Sequence, residues 1–172
     1  LPSVNEDYQL VIITDDKTID TSSDKVLPNV TLKAPAHSHV VTPITTLMVD
    51  GNFSSEQIVE ILGLPEGIDP LEFNPFATNI NQDNALLVEQ ISHQIMAVNT
   101  TLGTVLSING LDQSDAFKLV TKSIADVINS TLLPSSERLF DFKSIEDVKL
   151  IGSDVLEKFS TLSELSNDKL ET

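Results

Sequence analysis

The chain has 172 residues, a formal net charge of −16 and a sequence pI near 4.2. A surface this acidic repels the phosphate backbone of nucleic acids and anionic bilayers, which argues against both as partners. Cysteine is absent, so disulfides, thiolate nucleophiles and Cys–Zn sites are excluded together.

Apolar residues make up 40% and aromatics only 5%, with no Trp and a single Tyr (Tyr8), so the core must be aliphatic. No apolar run reaches the roughly 18 residues a membrane-spanning helix needs. Leu1-Pro2 carries neither a Met nor a basic n-region, so the start reads as the interior of a longer polypeptide rather than a signal peptide. Freedom from Cys suits the cytosol and large exported bacterial proteins equally. Four Asn-x-Ser/Thr triplets, at Asn29, Asn52, Asn99 and Asn129, match the chance expectation for a chain rich in these residues.

Residues 1–36 read as a small β element of two to three strands. Tyr8 to Thr14 is rich in β-branched residues and forms the first strand, Asp15-Asp16-Lys17 a turn, and Asp20 to Asp24 a polar loop. Val30-Thr-Leu-Lys33 alternates apolar and polar and forms another strand. So few strands cannot stand alone. They must lean on helices or complete the sheet of a neighbouring domain, and the stretch 8–14 is then an edge in want of a partner.

From Thr42 the hydrophobic period changes from two to 3.6, and residues 37–172 read as a helical domain. Thr42 caps a helix with Pro43 at its first position and Ile44, Leu47 and Met48 on one side; Asp50-Gly51-Asn52 ends it. Ser54 and Gln57 make a capping box for the next helix, with Phe53 and Ile58 as its hydrophobic staple and Gly63 as its left-handed stop. Asp69-Pro70 restarts a short turn through Phe73, and Asn74-Pro75 breaks it. A long helix spans Asp83 to Leu106, with Leu86, Leu87, Ile91, Ile95, Val98, Leu102, Val105 and Leu106 inward. Asp112 or Ser114 caps a helix to Leu133, with Phe117, Leu119/Val120, Ile124, Val127/Ile128 and Leu132 inward. Ser144 caps a last helix to Leu165, with Ile145, Val148, Ile151, Val155, Leu156, Phe159, Leu162 and Leu165 inward. Gly152 interrupts that face, which calls for a close helix crossing or a kink. The tail from Ser166 is polar and frays. The fold class is therefore mainly α: an irregular bundle of four to five helices with a small N-terminal β element.

The segment from Ala34 to Phe76 carries a family likeness. Leu32 to Ala36, Val40 to Leu47, Leu62 to Pro65 and Asn74 to Phe76 follow a pattern of an L-x-A-P-A turn, a V-V-T-P-[LI]-T-T-L helix start, an L-G-L-P helix end and an N-P-F turn. In this the chain resembles a helical module of large secreted bacterial adhesin-like, calcium-binding repeat proteins that string together cadherin-like and immunoglobulin-like domains. The likeness covers about a quarter of the chain closely. It implies a cell-surface location and architecture rather than chemistry, and supplies no catalytic residue. One departure is visible: His37 and His39 stand where small residues are usual.

Local chemistry offers a few candidates. His37-Ser38-His39, if extended, points both imidazoles to one face, where a carboxylate such as Asp50 could complete a transition-metal site; the one other histidine, His93, is on the long helix. Oxygen donors alternate at Asp50, Asn52, Ser54 and Glu56, surround one loop at Asp15, Asp16, Asp20 and Asp24, and recur at Asn79, Asn81 and Asp83. All are candidate calcium ligands. None has both the glycine and the final Glu of an EF-hand loop, and each also fits turn and cap chemistry. Arg138, the sole Arg, pairs with Glu137 or Asp141. There is no G-x-S-x-G elbow and no phosphate-binding glycine loop. These readings point to a non-enzymatic structural or binding module for adhesion or spacing. Its partners are the adjacent domains of the parent chain and a surface glycan or protein. A domain holding calcium or a small polar ligand near the β–helix junction is second, and an enzyme of unrecognised class third.

Overall fold

The computed structural model describes residues 8–20, 24–132 and 139–168, and is mainly α, with five helices and a small β element at the N-terminus. The strands are β1 (Gln9–Ile13), β2 (Ile19–Asp20), β3 (Lys25–Val26) and β4 (Thr31–Pro35). β1 pairs antiparallel with β4 and β2 with β3, so the two ladders follow one another along a single bent hairpin. Thr14, buried at the bend, holds the two halves in line. Its amide donates to the Val30 carbonyl at 2.9 Å, and its hydroxyl oxygen accepts from the Val30 amide at 2.9 Å.

Five helices follow: α1 (Pro43–Gly51), α2 (Ser55–Leu62), α3 (Gln82–Ile108), α4 (Gln113–Leu132) and α5 (Ile145–Asp168). Their starts are written in the sequence. Thr42 caps α1 in a reciprocal box with Thr45, and Ser54 caps α2 in a box with Gln57. Phe53 and Ile58, the staple pair, are both buried. Asn81 caps α3 by accepting from the amides of Asp83 and Asn84, and Asp112 does the same for α4 from Ser114. Gly63 ends α2 at φ 61°. The Asp69–Phe73 stretch is a single turn, in which the Asp69 carbonyl accepts from the amides of Glu72 and Phe73.

The short helix α1 is the centre of the fold. Ile44, Thr45, Thr46, Leu47 and Met48 are all buried, between β4 on one side and α4 on the other. Ile58, Ile95, Leu106, Val120, Ile124, Ile128 and Ile151 complete an aliphatic core, with Phe140 and Phe142 stacked edge to face at 5.1 Å. The end of α1 is held from α4: Lys122 donates to the Asp50 carbonyl at 3.0 Å and Asn129 to the Gly51 carbonyl at 3.0 Å. These side chains satisfy carbonyls that no helical amide reaches.

Several expected inward residues face solvent. Leu86 is 70% exposed, Val105 48%, Ile145 68%, Leu156 58% and Leu162 45%. The buried stripe of α3 runs instead through Val88, Ile91, Ser92, Ile95, Asn99, Gly103 and Leu106; three of these are small or polar, and Asn99 and Gly103 meet α4. Gly152 meets no close crossing, since a Cβ built there has nothing within 4 Å. The near approach is at Gly103, 4.0 Å from the backbone of Ala116 and Phe117. The side chains of Leu132 and Leu165, and residues 133–138 and 169–172, lie outside the described residues.

Candidate functional site

The hairpin is bonded to α1 along the β4 edge and to α4 through its turn, where Asn29 donates to Gln113 at 2.9 Å. The Lys33 amide donates to Thr46 Oγ1 at 2.9 Å, and its carbonyl accepts from Thr45 Oγ1 at 2.8 Å. Two threonine hydroxyls thus stand in for a neighbouring strand. Because Lys33 turns its backbone away from β1, the opposing pair Val11–Lys33 is a non-hydrogen-bonded one. By the same alternation Gln9, Val11 and Ile13 direct their amides and carbonyls to the outer edge of β1. The side chains there are exposed too, Val11 at 47% and Ile13 at 74%.

The opposite face of the hairpin looks onto α3. Leu27 and Leu32 from the hairpin, Val41 and Pro43 from the entry to α1, Phe76 from the loop before α3, and Met96 and Ala97 from α3 line a groove of about 540 Å³. That is within the range of small-ligand sites. Its ionisable lining residues are Asp20, Glu89 and His93; no Lys or Arg is among them. Glu89 is half-buried, and among the described residues its carboxylate has no hydrogen-bond or ion-pair partner. Burial raises its pKa above the ordinary glutamate value. The His93 charge opposes this and the Asp20 charge adds to it. A smaller cavity of about 160 Å³ adjoins through the shared residues Leu27 and Thr100, and is lined by Asn99, Gly103 and Phe117 among others. Asn99 is 1% exposed, donates to Thr121 Oγ1 and, among the described residues, leaves its Oδ1 without a partner. At that burial it is no glycosylation acceptor in the folded chain.

The histidines do not share a face. His37 sits at φ 65°, so the segment is a turn and not extended; its ring meets Tyr8 edge to face at 5.8 Å. His39 Nδ1 lies 2.6 Å from Glu72 at the surface. Ser38 between them is buried and donates to the carbonyls of Val40 and Leu71, tying this turn to the loop beyond α2.

The oxygen-rich turns are occupied by structure. The Asp50 carboxylate pairs with Lys33 at 2.6 Å. Asn52 is the left-handed cap of α1, Ser54 caps α2, and Glu56 lies in the first turn of α2, its pKa lowered by its own amide and the Ser54 hydroxyl. Asp15 accepts from the Lys17 amide and the Thr18 hydroxyl, which lower its pKa. Asp24 is a left-handed residue bonded through its amide to the Asp20 carbonyl. Asn79 is left-handed, and Asn81 and Asp83 belong to the start of α3. Among the described residues no three His, Asp or Glu side chains gather into a metal-holding group. Arg138 and Glu137 lie outside the described residues, while Asp141 accepts from the Lys143 amide and donates its own amide to the buried Asp147.

No protein-family model, curated protein or solved structure matches the chain. The site must therefore be argued from its own geometry. The groove was missed by sequence reading because its lining comes from four separate segments. The one available signal was Glu89 and His93 at i and i+4 on a helix face that also carries Met96. No helix among the described residues is long and apolar enough to cross a membrane.

Proposed function

We propose that this chain is a non-enzymatic structural or binding module of a large exported bacterial surface protein, in which the β1 edge seats an adjacent domain. The observation that supports this is β1 itself: a strand of Gln-Leu-Val-Ile-Ile whose outer backbone is unpaired among the described residues and whose Val11, Ile12 and Ile13 are exposed, where edge strands are ordinarily shortened, charged or covered. The likeness of Leu32–Ala36 and Val40–Leu47 to modules of adhesin-like proteins points the same way. The test is to compare melting of this domain alone and within the longer parent polypeptide. A covered β1 raises the melting temperature in the parent, and Val11→Lys with Ile13→Lys removes the gain. Equal melting in both settings would contradict the proposal.

A second reading is supported by the groove. A pocket of ligand size between hairpin and α3, with a half-buried carboxylate at its edge, is the arrangement of a binding domain for a small ligand. Loss of binding when the groove is filled from the exposed position Ala97 would support it.

A further inference from the structure

The groove's occupant is constrained by its lining, and this inference rests on the second reading above. The walls are aliphatic and come from independent elements: Leu27 and Leu32 from the hairpin, Val41 and Pro43 ahead of α1, and Met96 from α3. Such walls suit an unbranched or lightly branched hydrocarbon, and the thioether of Met96 adapts to irregular shapes. The ionisable groups come from two elements. Asp20 reaches the groove from β2, and Glu89 and His93 from α3; among the described lining residues there is no Lys or Arg. Burial is the largest influence on Glu89 and disfavours its ionised form, with the His93 charge opposing it and the Asp20 charge adding to it; a cation placed beside the carboxylate offsets the burial cost. A metal ion does not fit that role, because Asp20, Glu89 and His93 do not converge into a metal-holding group. An ammonium carries three donors and spans a wider gap than a coordinated ion.

We propose that the groove binds an amphiphilic primary amine, its hydrocarbon lying along Leu27, Leu32 and Met96 and its ammonium held by Glu89. Anionic amphiphiles are repelled by that carboxylate.

The experiment is calorimetric titration at about pH 8 with octylamine, octanol and octanoate, on the wild-type chain, Glu89→Gln and Ala97→Trp. Ala97 is an exposed position on α3, so its Trp variant blocks the groove without entering the core. The expected result is octylamine binding that weakens about tenfold or more in Glu89→Gln, as loss of a charged hydrogen bond requires, and disappears in Ala97→Trp. Octanol is expected to bind more weakly than the amine, and octanoate most weakly. Equal binding of amine and alcohol, or an unchanged Glu89→Gln, would overturn the charge assignment and leave the groove as a binding site. Amine binding untouched by Ala97→Trp would place the ligand elsewhere and overturn the proposal. No heat from any probe would overturn both this inference and the second reading. Circular dichroism of both variants confirms that the helices are intact.

Discussion

Thr46→Val tests how the hairpin is attached. Valine keeps the volume and β-branching of threonine and differs little from it in helix propensity, so the substitution removes little besides the hydroxyl. Thr46 is 2% exposed, and its oxygen accepts the Lys33 amide at 2.9 Å while donating to the Thr42 carbonyl at 2.8 Å. The Thr42 carbonyl retains the Thr46 amide at 3.0 Å, so its loss is small. The Lys33 amide has no such reserve. An unsatisfied, desolvated donor costs about 1–3 kcal/mol, and the half-buried position of Lys33 places the expected loss near 1–2 kcal/mol. In a domain of this size that corresponds to a fall in melting temperature of roughly 2–8 °C. Urea unfolding followed by helical circular dichroism gives the free energy, with an unchanged m-value showing that the unfolded state is not the cause. Hydrogen exchange at the Lys33 amide gives the local effect. A loss below about 0.5 kcal/mol with unchanged exchange at Lys33 would refute the claim that α1 hydroxyls close the β4 edge. Thr45→Val should cost at least as much. Thr45 Oγ1 donates to the Lys33 carbonyl and also accepts the Thr42 amide at 2.8 Å.

Two glycines are expected to behave in opposite ways. A Cβ at Gly51 would sit 2.1 Å from the buried Phe53 ring, so Gly51→Ala should cost about 1–3 kcal/mol by overpacking, whereas Gly152→Ala, with open space around it, should stabilise by up to about 1 kcal/mol; urea melts decide both. Asp126 links α4 to α5 through Lys158 at 2.8 Å and bonds Lys122 at 2.8 Å. Burial raises the Asp126 pKa, but the hydrogen bonds and charges of the two lysines together hold it below the ordinary aspartate value. Its contribution is therefore present above the unfolded pKa near 4 and is lost as pH falls through the lower folded value; Asp126→Asn should flatten that acid limb. The pair is about one-third exposed, so screening keeps the neutral-pH cost of Asp126→Asn below about 1 kcal/mol. Burial lowers the Lys158 pKa, but its bonds to Asp126 and Asp154 outweigh this and raise it, so its share is present at neutral pH and fades as pH rises through the folded value; at low pH it is lost with the two carboxylate charges.

Helix starts and stops were legible because they depend on residues a few positions apart. Thr42 with Pro43, Ser54 with Gln57, and Gly63 state their roles locally, and the structure places each there. The inward faces were less legible. Leu86 and Ile145 fit the helical period, yet no element among the described residues covers them, and a period cannot say where its partner ends. Conversely Asn99 and Asp147 read as polar positions but are buried, at 1% and 2% exposure: Asn99 meets Thr121 of α4, and Asp147 accepts the Asp141 amide from the loop before α5. Gly51 read as a helix stop, when the Phe53 ring lying against it also demands a residue without Cβ. The pairing of Asp50 with Lys33, 17 residues earlier, is likewise a tertiary fact. The β–helix junction was identified as the place to look. The groove there is lined by Glu89 and His93, while His37 and His39 sit in a turn.

The most direct measurement of the central claim is amide hydrogen exchange along β1, on this domain alone and within the parent polypeptide. The account expects the outward amides of Gln9, Val11 and Ile13 to exchange freely in the isolated domain and to become protected in the parent, with Leu10 and Ile12 protected in both. Outward amides that stay unprotected in the parent would contradict it.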